Sequence, residues 1–243
     1  MEETEDGAGL TVNTLVLLPG LDGTGTLFTN LIAELPQTFK ISIARYPADR
    51  FLSYPELLPY VNEAIPSSAF LLVAESFSTP LAAKLSATRP PNLAGLVLCA
   101  GFVTNPIGSW APLVRILARP WLFQLSPPEL ALEWFLTGAN APSGLQAELR
   151  SALRLVSPNV LAGRVRAVLD CDMRGDLAQT KMVPMMYVQA ETDRLVRETA
   201  FRDIQRLRPD TVLVSIPGPH LVAQREPKKV AEAIVGFAYQ LPG

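Results

Sequence analysis

The sequence predicts an α/β fold: a mostly parallel β-sheet with helices on both faces and one inserted helical segment. Three observations carry that prediction. Short apolar runs alternate with stretches of helical spacing along the chain. The runs are apolar at consecutive positions, as strands covered on both faces require. The alternation stops after the fourth run, gives way to helical patterns alone, and then resumes.

Thr14–Leu18, an apolar run ending in Pro-Gly, is the first expected strand, and apolar spacing over Leu27–Leu35 gives the first helix. Lys40–Ala44 is the second strand, Tyr54–Ile65 a helix and Phe70–Val73 the third strand. Phe77–Thr88 is a helix stopped by Arg89-Pro90-Pro91, and Leu93–Cys99 is the fourth strand. From Val103 to Gln179 only helices are expected, over Trp110–Phe123, Pro128–Leu136, Leu145–Val156 and Val160–Leu169. Pro120 should kink or split the first of these. The sheet resumes at Val183–Gln189, followed by a helix over Arg197–Arg206. Thr211–Ile216 is the last strand and Pro227–Tyr239 the last helix, with Pro227 suited to a first helical turn. The expected organisation is a flexible acidic segment over residues 1–10, an α/β core over 11–102 and 180–243, and a helical insert over 103–179.

The length of 243 residues fits one large domain, and 49% apolar residues supply a sizeable core. A net charge of −2 without a basic stripe argues against nucleic acid or an anionic membrane as partner. No apolar stretch reaches the roughly 20 residues that span a bilayer, so stable membrane insertion is not expected. Met1–Gly7 is acidic, the opposite of a secretory leader, and a cytoplasmic location is the expectation. The two cysteines, Cys99 and Cys171, lack metal-ligand spacing and are expected as packing thiols. A single histidine, His220, argues against a zinc site built on imidazoles. Neither a metal nor a cofactor is expected, and the oligomeric state is left open.

Chemistry concentrates in four places. Ser76 stands between a strand and a helix in Ala74-Glu75-Ser76-Phe77-Ser78, the setting of a sharp turn that presents a nucleophile. The positions two before and two after must be small, and Ala74 and Ser78 are. An ordinary serine at a helix start is the plainer alternative. Ser78 is the rival nucleophile, but it falls in the first helical turn, where it suits a packing site. His220, in Ile-Pro-Gly-Pro-His-Leu-Val, follows the last strand and so lies at the same carboxyl edge of the sheet, where ligands gather. It is the available base. Asp193, in Ala-Glu-Thr-Asp-Arg-Leu-Val, lies just past the preceding strand and can fix the imidazole tautomer. Glu191 is the rival acid, and Asp170, Asp172 and Asp176 have weaker claims. The fourth place is Leu17-Leu18-Pro19-Gly20-Leu21-Asp22-Gly23-Thr24-Gly25, a strand entering a glycine-rich loop that matches neither a dinucleotide nor a phosphate fingerprint. A bland turn is one reading. The other makes the backbone N–H groups of Leu21 and Phe77 an oxyanion hole.

These four segments resemble the α/β-hydrolase superfamily over almost the full length, in the order Ser76, Asp193, His220. Val230, after Glu226-Pro227, continues the last of them. The first two look like the esterase and acyltransferase branches with a Gly-Glu-Ser-Phe-type elbow, including the phytyl ester synthase-like proteins. Ala74 and Ser78 depart from that pattern's glycines, Pro19 replaces a frequent histidine, and Pro219 replaces a frequent glycine. The resemblance implies the α/β-hydrolase fold, with the usual N-terminal antiparallel strands short or absent and residues 103–179 forming a cap. It implies a serine hydrolase, a carboxylesterase acting on small-molecule esters of short-to-medium acyl chain, with Ser76, Asp193 and His220 as catalytic residues. Acyl transfer to an alcohol from the same acyl-enzyme is the alternative within enzymes. A non-catalytic binding protein on the same fold is the alternative outside them. Trp110, Trp121, Phe123, Trp134 and Phe135 are expected mainly to pack the cap, with a few lining an acyl pocket.

Overall fold

The computed structural model describes residues 12–125, 127–142 and 144–241. The acidic segment 1–10 lies outside the described residues. Six strands form one sheet: β1 (Thr14–Leu18), β2 (Lys40–Ile43), β3 (Phe70–Glu75), β4 (Leu93–Cys99), β5 (Met185–Ala190) and β6 (Val212–Ile216). Their order is β2-β1-β3-β4-β5-β6, and every pairing is parallel. The expected α/β class and its strand sequence are therefore observed, with β5 starting two residues later than the apolar run suggested.

Both faces of the sheet are covered over its inner strands, which explains why β1, β3, β4 and β5 read as largely apolar runs, whereas the edge strands β2 and β6 stay partly exposed. Successive side chains along a strand point to opposite faces. One in-register row, Val16, Leu72, Leu96 and Met185, packs under helices α2 (Tyr54–Ala64), α3 (Thr79–Ala87) and α9 (Glu198–Leu207). The next row, Leu17, Val73, Val97 and Met186, faces α1 (Thr29–Glu34) and α11 (Pro227–Ala238) on the other side. All eight side chains are buried, and burial on this scale is the main favourable term in folding.

Between β4 and β5 the chain forms α4 (Ala111–Leu117), α5 (Glu129–Leu132), α6 (Leu145–Arg154), α7 (Pro158–Leu169) and α8 (Arg174–Ala178). Pro120 does split the first expected helix: α4 ends at Leu117 and Pro120 opens a separate 3-10 turn to Gln124. Proline at the first position of that turn removes an N–H that has no helical partner there. The single expected helix over Pro128–Leu136 is instead the four residues of α5 followed by a π-turn over Glu133–Thr137. Helix α8 had no counterpart in the sequence reading. It packs against α3, where Leu177 joins the core and Lys84 lies 3.8 Å from Asp176.

The aromatic residues of this segment depart from expectation. Trp110, Trp121, Trp134 and Phe135 are 60%, 61%, 58% and 43% exposed, so they are not an internal core. Phe123 alone of the five packs inward, against Val156, Val160 and Leu161. The buried contacts of the segment come from aliphatic side chains instead, among them Leu132, Leu149 and Val160.

Candidate active site

The ends of three strands converge. Strand β3 runs to Glu75, and Ser76 follows with φ +48°, a left-handed conformation costly for a residue carrying a Cβ. Ser76–Ser78 then form one 3-10 turn before α3 begins at Thr79. That turn explains why the helix starts two residues later than expected. Thr79 Oγ1 accepts from Phe102 N–H at 2.9 Å and lies 2.8 Å from the Ser76 carbonyl, which braces the turn against the exit of β4. Gly101 is required there, because a Cβ would meet Thr79 Cγ2 at 2.5 Å.

Ser76 Oγ lies 2.8 Å from Nε2 of His220. His220 Nδ1 lies 2.7 Å from Oδ2 of Asp193. The other carboxylate oxygen of Asp193 accepts from the N–H groups of Leu195 and Val196, both at 2.8 Å. The loop after β5 therefore holds the acid in one orientation, the acid holds the imidazole, and the imidazole faces the hydroxyl. The histidine and aspartate side chains are 5% and 3% exposed. Burial alone lowers the pKa of His220. The charge and hydrogen bond of Asp193 raise it, aided by the charge of Glu75, and the net shift is upward.

The rivals are elsewhere. Ser78 is fully buried, with its hydroxyl hydrogen-bonded to the Pro19 carbonyl and 2.7 Å from Tyr46 Oη. A glycine at that position could not bridge the two loops in this way. Glu191 is exposed, and its backbone N–H pairs with Ile216 O at 3.1 Å. Asp170 pairs with Arg115, Asp172 with Arg174 at 2.6 Å, and Asp176 sits near Lys84. Gly20 and Leu21 line the same cavity as Ser76 and Phe77. Gly23 turns back on Gly20, its N–H donating to Gly20 O at 3.1 Å with φ +67°.

The cavity above Ser76 measures about 300 Å³ and is overwhelmingly apolar. Leu27, Phe102, Ile107, Val114, Leu149 and Val168 are among the side chains that wall it, so the insert contributes aliphatic groups where rings were expected. Among the described residues its ionisable lining is Asp22, Glu75 and His220. The loop that carries His220 is tied to the insert. Leu221 N–H donates to Leu136 O at 3.0 Å, and Arg225 donates to the carbonyls of Thr137 and Ala139. Arg194, next to Asp193, lies over the Trp134 ring with 3.5 Å from Cζ to the ring centroid.

Two buried groups escaped the sequence reading. Glu75, 3% exposed, accepts from Gln224 Nε2 at 3.1 Å through one oxygen, and its other oxygen has no partner among the described residues. Burial pushes its carboxyl up to about 7. Arg164, 2% exposed, reaches from α7 to the carbonyls of Leu21, Asp22 and Pro47. Only the position of Glu75 beside Ser76 could have flagged it in the sequence, and nothing there marks Arg164. Among the described residues, no cluster of three His, Cys, Asp or Glu side chains is placed to hold a metal ion. None of the described helices is long and apolar enough to cross a membrane.

No protein-family model matches the sequence, and no curated protein matches it. Solved structures do. A hydrolase from Oleispira antarctica superposes with a TM-score of 0.78 at 14% identity, covering 94% of this chain and 91% of that one. An esterase from Exiguobacterium antarcticum gives 0.76 at 16% identity, with 95% and 92% covered. A thermophilic esterase from Thermogutta terrifontis, solved with malate bound, gives 0.75 at 18% identity, with 96% and 92% covered. At these identities the likeness speaks to architecture. With its six-stranded parallel sheet wrapped by helices and aligned nearly end to end with these proteins, the chain has the α/β-hydrolase fold.

Proposed function

We propose that the protein is a serine hydrolase that cleaves carboxylic esters of short-to-medium acyl chain. The observation that carries the reading is the chain of contacts Ser76–His220–Asp193, at 2.8 and 2.7 Å, opening on an apolar cavity. Hydrolase and esterase structures of the same fold support it as analogy.

In this reading His220 Nε2 removes the proton of Ser76 as Oγ attacks the ester carbonyl. Asp193 keeps the remaining proton on Nδ1 and stabilises the imidazolium. The backbone N–H groups of Leu21 and Phe77 hold the developing oxyanion. Collapse of the tetrahedral intermediate breaks the carbon–oxygen bond to the alcohol, which leaves with the proton from Nε2. Water then attacks the acyl-enzyme, His220 takes its proton, and the second intermediate returns Ser76 and releases the acid. Helices from residues 103–179 act as a cap that shapes the acyl site. A reducing cytoplasmic setting belongs to the proposal, supported by the unbridged buried thiols of Cys99 and Cys171.

The small polar share of the cavity lining favours a second reading, acyl transfer to an alcohol, since an apolar chamber disfavours water as acceptor. The experiment is a p-nitrophenyl ester series run with and without added alcohol, alongside fluorophosphonate labelling. Turnover with label on Ser76, both lost in Ser76→Ala, supports the enzyme. Dominant ester exchange would move the assignment to transferase. Absence of label and turnover would leave a binding protein.

A further inference from the structure

Arg164 is an unusual anchor for an inserted helix. Its helix α7 is capped by Ser157, whose hydroxyl accepts from Val160 N–H at 3.3 Å and whose own N–H donates to Ala48 O at 2.8 Å. From there the guanidinium crosses to the loop after β1. Nη1 donates to Leu21 O and Asp22 O, both at 2.8 Å, and Nη2 donates to Pro47 O at 3.0 Å. All three recorded bonds go to main-chain oxygens. Among the described residues no carboxylate lies within ion-pair distance of it. One oxygen of the nearby Asp22 carboxylate, Oδ2, accepts from the Thr24 N–H and hydroxyl, and its charge favours the guanidinium only across space, without a direct bond. A buried cation without a paired anion is costly, and an apolar side chain could hold a helix without that cost.

What the cation grips is specific. Leu21 and Phe77 are the two residues whose amides face the oxyanion in the proposed reaction. Arg164 binds the carbonyl of the first, and its Cζ lies 5.7 Å from the ring centroid of the second. The Tyr46 ring, at the same distance, completes its cradle, and the Tyr46 hydroxyl reaches Ser78 in the turn that carries Phe77. The fit leaves no slack: a Cβ on Gly23 would lie 2.6 Å from Nη1. A fork with several donors can fix two successive carbonyls and so the orientation of the 21–22 and 22–23 peptides, which directly follow the peptide carrying the Leu21 N–H. A lysine ammonium is a point charge without that geometry.

We propose that Arg164 is a positioning residue for the oxyanion hole. By fixing Leu21 O, Asp22 O and Pro47 O, it sets the loop that presents the Leu21 N–H to the transition state. This rests on the serine hydrolase reading above.

The test compares wild type, Arg164→Met and Arg164→Lys in three measurements: kcat and KM on p-nitrophenyl butyrate, the inhibition constant of an alkyl trifluoromethyl ketone, and thermal melting. The ketone forms an oxyanion on Ser76, and the matching alcohol, which cannot, serves as ground-state control. Loss of one oxyanion donor costs on the order of 100-fold or more in turnover. The expected result for Arg164→Met is a kcat lower by roughly that factor with KM within about threefold. Ketone affinity should fall by the same factor as kcat/KM, alcohol affinity should hold, and Arg164→Lys should recover only a small part. A folded Arg164→Met with kcat within twofold of wild type overturns the proposal. So does a parallel loss of alcohol and ketone affinity, or failure of both variants to melt cooperatively, since either result marks a purely structural role. Wild type that neither turns over nor takes label at Ser76 removes the hydrolase reading itself. An active wild type beside unaffected variants removes only this inference.

Discussion

Replacing Glu75 by glutamine should make the fold more stable at alkaline pH and leave it little changed at acid pH. The carboxyl is buried beside Ser76, and one of its oxygens has no partner among the described residues. Burial, with the charge of Asp22 adding to it, outweighs the Gln224 hydrogen bond and the field of His220, and moves the carboxyl from 4.5 to about 7. Below pH 4.5 the group is protonated in both the folded and the unfolded chain. Between 4.5 and 7 the unfolded chain releases the proton first and is stabilised by doing so. The folded state therefore loses relative stability across that window, and above 7 the loss is complete. The gap corresponds to about 3 kcal/mol as an order of magnitude. Glutamine matches the shape of the neutral acid and does not titrate. The stability difference between Glu75→Gln and wild type should thus grow by about 3 kcal/mol from pH 4.5 to pH 8. Urea unfolding at several pH values, with equal m-values for the two proteins, measures it. Groups not coupled to Glu75 are common to both proteins and cancel, while His220 and Asp22, which feel its charge, modify the size of the growth and not its sign. A difference that stays flat with pH would refute the argument, because it would mean that the carboxyl is ionised in the fold at no cost.

Other expected outcomes follow from the same geometry. Activity should rise with pH with a midpoint above the ordinary imidazole value of 6.5, because Asp193 and Glu75 favour the protonated ring and the base must be neutral; Glu75 titrates in the same window, so in Glu75→Gln the limb should narrow to a single ionisation and its midpoint move down, as a pH profile of kcat/KM would reveal. Asp193→Asn should lower kcat by a large factor, about 10,000-fold in well-studied triads, while Glu191→Gln does little, and a reversed pair of rates would reassign the acid. Ser78→Ala should keep the fluorophosphonate label at Ser76 but destabilise the fold by about 1–3 kcal/mol, since Tyr46 Oη loses a buried partner; an unchanged melt would contradict this. Each methylene added to the acyl chain should raise kcat/KM by up to about fourfold until the cavity of about 300 Å³ is full. A profile highest on acetate, or one still climbing on emulsified long chains, would contradict an enclosed medium-length pocket.

The sheet was legible because its inner strands β1, β3, β4 and β5 are covered on both faces, which turns each into an apolar run that needs no periodicity to be noticed, while the edge strands β2 and β6 are partly exposed. Ser76, Asp193 and His220 were legible because each follows a recognisable strand. The structure brings those three positions within hydrogen-bond distance. What stayed hidden has physical reasons. Helices α8 and α10 (Val222–Arg225) are too short to establish a 3.6-residue period. The rings of Trp110, Trp121 and Trp134 were expected to turn inward on hydrophobicity alone, yet large apolar residues on a surface are common, and these are exposed. Arg164 left no trace because its partners are backbone oxygens, in the case of Leu21 143 positions away, and carbonyls have no signature in a sequence.

Three loops at the carboxyl edge, after β3, β5 and β6, carry Ser76, Asp193 and His220, and the long helical segment grows from the loop after β4. That loop holds none of the three, so it is the place where added length disturbs their alignment least. Such an arrangement suits modular change, with different pockets carried over the same three loops. The bonds from Arg164 set a limit on that freedom in this chain. Whatever replaced the segment would also have to reach down to Leu21, Asp22 and Pro47, so under the proposed reaction selectivity and rate would be inherited together.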